Sequence, residues 1–303
     1  MAPPLVHAGY QKTGSTFLQR NLFVDDSVFH SPWGTQSTQA IEHFVLAHPE
    51  RFDPDRIRAD LIGPPDLVPL ISHEDLLGYP VHGRYYAEQV VDRLARALPD
   101  ARILVCIRRQ PDILLSNYFQ YVRQGGTKRL EALLSENRDR PGFRPHFRLD
   151  HFEYDLMHRL LTRQFAADQV RFLPMEMLRR DPAEFTRRIA TFLDRDIAVQ
   201  DTPAAMNRRH SARALGLQRR LNRFVQRPAQ APDRYRDLPV AVRLRDRLIS
   251  AADRVSDRFG DNEAHLRQLR RVIARAVDGH YRSSNKRLSD VIGIDLAEYG
   301  YES

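Results

Sequence analysis

Pro4-Leu5-Val6-His7-Ala8-Gly9-Tyr10-Gln11-Lys12-Thr13-Gly14-Ser15-Thr16-Phe17-Leu18-Gln19 reads as a short buried strand, a tight loop and the first turn of a helix. A loop that feeds a helix start aims several unpaired backbone N–H groups at one spot, and the positive end of the helix dipole adds to them. Gly14 removes a side chain where an anion must approach the backbone. Lys12 supplies a mobile positive charge, and Ser15 and Thr16 offer hydroxyl donors and N-caps. The stretch therefore predicts a cradle for a phosphate or sulfate group, although the five residues from Lys12 to Thr16 fit an ordinary strand-to-helix turn equally well.

The nucleotide-triphosphate loop G-x-x-x-x-G-K-[ST] places its lysine after the second glycine. Here Gly9 and Gly14 keep that separation, but Ser15 stands in the lysine position and Lys12 precedes Gly14 by two residues. The chain uses lysine only at 12, 128 and 286 among 47 basic residues. A lysine in the anion loop then suggests a need for a compact point charge rather than a planar fork.

The apolar runs beyond this loop give the architecture. Asp66–Leu76 is a second strand candidate, ending in Ser72, His73, Glu74 and Asp75; Ala101–Arg108 is a third, expected to be central; Val170–Leu178 is a fourth that runs into a turn. Helical patterns lie between them, over 16–23, 37–48, 85–98 and 152–165, and Asp181-Pro182 caps a further helix carrying Phe185, Ile189, Phe192 and Leu193 on one face. Alternation of this kind predicts an α/β fold with a central parallel sheet flanked by helices. Ligands bind such sheets at the C-terminal edge, so Ser72, His73, Glu74 and Asp75 are site candidates by position, with a strand cap plus an N-cap, Ser72 or Asp75 starting a turn, as the alternative. Arg108 at a strand end and Ser116 about two turns later can converge on one phosphate.

With 303 residues we expect a single domain: an α/β core over 1–200 and a helical C-terminal part over 201–303, with helices near 212–226, 238–258 and 262–279. The hydrophobic fraction of 42% and charged fraction of 28% argue against wholesale disorder. The net charge of +8 invites a nucleic-acid reading, but the arginines are spread among acids without long basic runs or interleaved aromatics. The single cysteine, Cys106, lies inside an apolar run and reads as a buried small hydrophobe. No signal segment and no bilayer-length apolar run appears, so the expectation is a cytoplasmic protein without an integral membrane segment. The run from Ser27 to Gly34, rich in aromatic residues, His, Pro and Gly, fits either a substrate mouth or a packed loop.

Five segments together resemble the sulfotransferases, enzymes that take a sulfuryl group from 3′-phosphoadenosine 5′-phosphosulfate (PAPS). The Lys12-Thr13-Gly14-Ser15-Thr16 order is similar to their 5′-phosphosulfate loop. Arg108, Pro111, Asp112, Ser116 and Tyr118 match their 3′-phosphate motif, and this second signal is the more specific. The strand reaching Glu176, then Asp181-Pro182 and a helix ending Phe192-Leu193, is a third likeness; Glu176 itself reads best as a structural hydrogen-bonding group. Asn207, Arg208 and Arg209, within 205–213, are similar to the loop these enzymes close over the 3′-phosphate, and fit a surface linker as well. The tail over 284–301 resembles the ends of bacterial members.

The resemblance implies the P-loop NTPase-like sulfotransferase fold with a helical C-terminal extension. It also implies in-line transfer of a sulfuryl group from PAPS, leaving 3′-phosphoadenosine 5′-phosphate (PAP), to a hydroxyl or amine of a glycan or small-molecule acceptor. Lys12, Thr13, Gly14, Ser15 and Thr16 would hold the 5′-phosphosulfate, and Arg108, Ser116 and the 207–209 segment the 3′-phosphate. Lys12 would stabilise the charge developing on the bridging oxygen. Some members use a Glu base and others a His. This chain offers both at one strand end, and alternation along the strand sends His73 and Glu74 to opposite faces. Glu74 is preferred, because a carboxylate partly desolvated beside the cradle takes up a proton more readily. No metal-ligand cluster of usable spacing appears, and this route needs no metal. The alternatives are an ATP-dependent kinase or NTPase with a degenerate P-loop, reading Leu70–Asp75 as its second nucleotide motif, and a basic nucleic-acid-binding protein.

Overall fold

Every residue of Leu5–Ala8 is buried, His7 included, as required of a strand covered on both faces of a parallel sheet. In the computed structural model, which describes residues 2–135, 147–198, 212–225, 243–245, 247–249 and 262–303, this strand, β1, occupies the middle of the sheet. With β2 (Phe29–His30), β3 (Val68–His73), β4 (Arg102–Ile107) and β5 (Val170–Pro174) it forms five parallel strands in the order β2-β3-β1-β4-β5. The apolar run of β4 is interior, between β1 and β5, but the central place expected for it belongs to β1. All C-terminal strand ends therefore lie along one edge, with those of β3 and β4 on either side of the loop that follows β1.

Two features of β3 and β2 follow from local chemistry. Pro69 has no N–H to give to a ladder, and it sits near the start of β3, opposite the short edge strand, before pairing with β1 begins at Leu70. The run around Phe29 is packed in part: Val28, Phe29 and Trp33 are buried and the Trp33 ring stacks on His43, while Ser27, Pro32 and Gly34 are exposed.

Helices cover both faces. After β1 come α1 (Ser15–Phe17) and, without a break, a π-helical stretch, Leu18–Leu22. A second helix of the same mixed kind, α2 (Thr38–Ala40) with π-helical Ile41–Leu46, ends against Arg93, whose guanidinium donates to the carbonyls of Phe44 and Ala47 that the helix leaves open. Then follow α3 (Pro54–Asp60), α4 (Ala87–Ala97), α5 (Gln110–Arg123), α6 (Leu130–Leu134), α7 (Tyr154–Leu161), α8 (Met175–Arg180) and α9 (Pro182–Leu193). The Asp181 carboxylate accepts from the Glu184 N–H with Pro182 in the first turn, and Phe185, Ile189, Phe192 and Leu193 are buried, as the pattern predicts.

The C-terminal helices α10 (Ala212–Val225) and α11 (Asn262–Val277) pack on α5, and α12 (Arg282–Ile292) packs on α7. Of the helix expected over 238–258, only 243–245 and 247–249 fall among the described residues, and both pieces are helical. Polar bonds fasten α12 to the core: buried Ser284 Oγ and the exposed Arg287 Nε donate to the buried Asp155 carboxylate, and buried Gln110 Nε2 donates to Asn285 Oδ1 at 2.6 Å. No helix among the described residues is long and apolar enough to cross a membrane.

Candidate active site

The loop after β1 turns through two residues with left-handed backbone, Lys12 at φ 68° and Gly14 at φ 95°. Glycine adopts this region at little cost; lysine does so rarely. Thr13 Oγ1 donates to the Tyr10 carbonyl at 2.5 Å, closing the turn from inside. The next backbone bonds run from the N–H groups of Phe17 and Leu18 to the Gly14 carbonyl. Among the described residues, no acceptor takes the N–H groups of Thr13, Gly14, Ser15 or Thr16, and Ser15 Oγ is buried without a partner. Thr13 and Ser15 are buried, Gly14 is half-buried and Thr16 exposed. A helix start leaves such N–H groups open, and beside the buried, unpartnered Ser15 hydroxyl they make a donor set suited to an oxyanion.

Arg108, at the end of β4, reaches this loop. It is 3% exposed, and its Nη1 donates to the Lys12 carbonyl at 3.1 Å. Its own carbonyl accepts from Tyr154 Oη at 2.6 Å. The following N–H, of Arg109, donates to Glu176 Oε1, and Tyr301 Oη donates to Glu176 Oε2 at 3.0 Å. Burial raises the Glu176 carboxyl above its usual range. The expected structural role of Glu176 is thus what its bonds describe: it ties the C-terminal tail to the turn that carries Arg108. Asp112 pairs with Arg109. Ser116 lies half-buried along α5, with no hydrogen bond to the loop. Asn207, Arg208 and Arg209 lie outside the described residues.

At the end of β3, Glu74 is held by a residue the sequence reading overlooked. Gln19, in the π-helical stretch after the loop, shares its Nε2 between Glu74 Oε2 at 3.1 Å and Ser72 Oγ at 3.3 Å. Ser72 Oγ also bonds His7 Nδ1 at 2.9 Å. Gln11 donates likewise to Asp75 Oδ1 and the Gly78 carbonyl. Two glutamines thus join the loop to the β3 end, and burial raises the Asp75 carboxyl. The signal available was the placing of Gln19 among Leu18, Leu22 and Phe23, a polar group on an otherwise apolar side. His73 is 8% exposed, and its Nδ1 accepts the Asp75 N–H at 3.1 Å. A neutral imidazole that accepts at Nδ1 carries its proton on Nε2, so its second nitrogen is a donor.

His7 has a measurable consequence. Burial lowers its pKa from 6.5 to about 4. The unfolded chain takes up this proton as pH falls through 6.5, whereas the folded chain does so only near 4. The stability due to neutral His7 is therefore complete above pH 6.5 and is lost between 6.5 and 4, by roughly 3 kcal/mol for the full window. Urea unfolding at pH 7 and at pH 4.5 should show a smaller acid loss in His7→Gln than in the unchanged protein.

Residues 86–201 match the family model described as "Sulfotransferase family". A sulfotransferase from Alicyclobacillus acidocaldarius has a similar structure, with TM-score 0.56 and 16% identity, covering 99% of both chains. Mouse sulfotransferase SULT7A1, solved in complex with PAP, aligns with TM-score 0.31 and 16% identity over 84% of this chain and 85% of that one. No curated protein sequence matches the chain at a significant level. The fold is that of a sulfotransferase. The matched segment runs from α4 past the end of α9 and carries Arg108, Ser116 and Glu176.

Proposed function

We propose that the protein is a PAPS-dependent sulfotransferase that moves a sulfuryl group in line to a hydroxyl or amine of a glycan or small-molecule acceptor. The observation that carries this reading is the set of open donors from Thr13 to Thr16 with buried Ser15 Oγ, beside Lys12 and under Arg108. PAPS would supply an activated sulfuryl group, a good electrophile once its leaving phosphate is stabilised. The loop donors and Lys12 hold negative charge on the 5′ side, and Arg108 and Ser116 serve the 3′-phosphate, as the family motif implies. Glu74 takes the acceptor proton. The geometry favours it over His73, whose hydrogen bond leaves Nε2 a donor. Asn207, Arg208 and Arg209 are proposed to cover the 3′ end, and the protein to act in the cytoplasm as one domain.

An ATP-dependent enzyme would need a lysine directly after Gly14, where Ser15 stands. Calorimetric titration separates the two readings. PAP is expected to bind without metal. Binding of ATP with magnesium and not of PAP would overturn the proposal.

A further inference from the structure

We infer, on the donor-site reading above, that Arg108 is a positioning residue for the 5′ end of the donor as well as a ligand for its 3′ end. The reason lies in Lys12. Its left-handed backbone, φ 68°, is uncommon for a residue with a side chain, and it sets the direction of the N–H groups that follow. Alternation of left-handed and ordinary backbone is what turns successive N–H groups toward one anion. The Lys12 carbonyl is held in place by Arg108 Nη1 at 3.1 Å.

The guanidinium can act as a strut because its base is fixed from two sides. Tyr154 Oη holds the Arg108 carbonyl, and Glu176 holds the Arg109 N–H while Tyr301 holds Glu176. Tyr154 is itself fully buried, with its ring edge-on to that of Tyr10 in the same loop. A chain of bonds thus runs from the tail through the β4 end into the cradle. With the strut removed, Lys12 relaxes toward ordinary backbone and the donors at 13–16 lose their common aim.

The test uses a nucleotide that lacks the 3′-phosphate. Adenosine 5′-phosphate (AMP) and PAP are titrated into the full-length protein and into Arg108→Ala, by ligand-observed NMR, with circular dichroism as the check on folding. A residue that only receives the 3′-phosphate leaves AMP affinity untouched when it is lost. A strut does not: Arg108→Ala should weaken AMP by about tenfold, the size of one charge-assisted hydrogen bond, and PAP by more. Tyr154→Phe is the second variant. It removes one hydroxyl from behind Arg108 and should weaken AMP severalfold at unchanged helix content. It also serves if Arg108→Ala does not fold. AMP affinity equal to that of the unchanged protein in the folded variants overturns the inference and leaves the donor site standing. Failure of the unchanged protein to bind PAP overturns both; PAP binding without AMP binding overturns the inference alone, since a pre-aimed 5′ cradle must hold a 5′-phosphate.

Discussion

Lys12→Ala is expected to lower the rate of sulfuryl transfer from PAPS by about 10²–10³-fold, the usual cost of removing one preorganised charge from a developing oxyanion. The lysine stands where the loop reverses, between the Gln11 side chain fastened to the β3 turn and the inward Thr13 hydroxyl. Its neighbours on both sides are therefore fixed. Backbone and side-chain effects can be separated. Lys12→Gly tolerates φ 68° without strain, so an equal loss in Lys12→Gly and Lys12→Ala assigns the effect to the amino group. Lys12→Arg should stay well below the unchanged enzyme, since a planar fork does not fill the place of a compact ammonium. The readout is release of PAP with the acceptor that accepts labelled sulfuryl. A Lys12→Ala enzyme with more than half the normal rate would remove Lys12 from the chemistry.

What could be read in the chain before folding was the part written in local pattern. The five apolar residues ending at Arg108, the Asp181-Pro182 cap and the Lys12–Thr16 order each carry their meaning within about a dozen residues. The strand Phe29–His30 did not, because two residues have no period, and its pairing with Val68 and Pro69 depends on chain far away. Nor did the π-helical stretches Leu18–Leu22 and Ile41–Leu46, since side-chain spacing does not report which carbonyl each N–H chooses. Gln19 escaped notice for a related reason: its partners, Ser72 and Glu74, lie more than fifty residues away. Tyr154 and Tyr301 carry no local signal of a role, and it is their hydroxyls, aimed at the Arg108 carbonyl and Glu176, that tie them to the β4 end. The sequence did place His73 and Glu74 side by side; only the Nδ1 bond of His73 separates their chemistry.

Glu74→Gln should lower turnover by about 10²–10⁴-fold, the range for loss of a positioned general base, with PAP affinity unchanged because the donor loop keeps every bond. Gln19 makes this prediction sharper. Its amide can donate to Glu74 Oε2 and cannot accept the proton that Glu74 would take, so it orients the carboxylate without competing for its function. Gln19→Leu should then show a loss in the same direction but smaller, about tenfold, in the rate rather than in PAP binding. The double variant should lose no more than Glu74→Gln alone, since a positioning group has nothing left to position. If Gln19→Leu and Glu74→Gln instead multiply, Gln19 acts on the donor or acceptor independently. If Glu74→Gln is fully active while His73→Gln is not, the proton goes to the histidine, and the Asp75 N–H must release Nδ1 for turnover to occur.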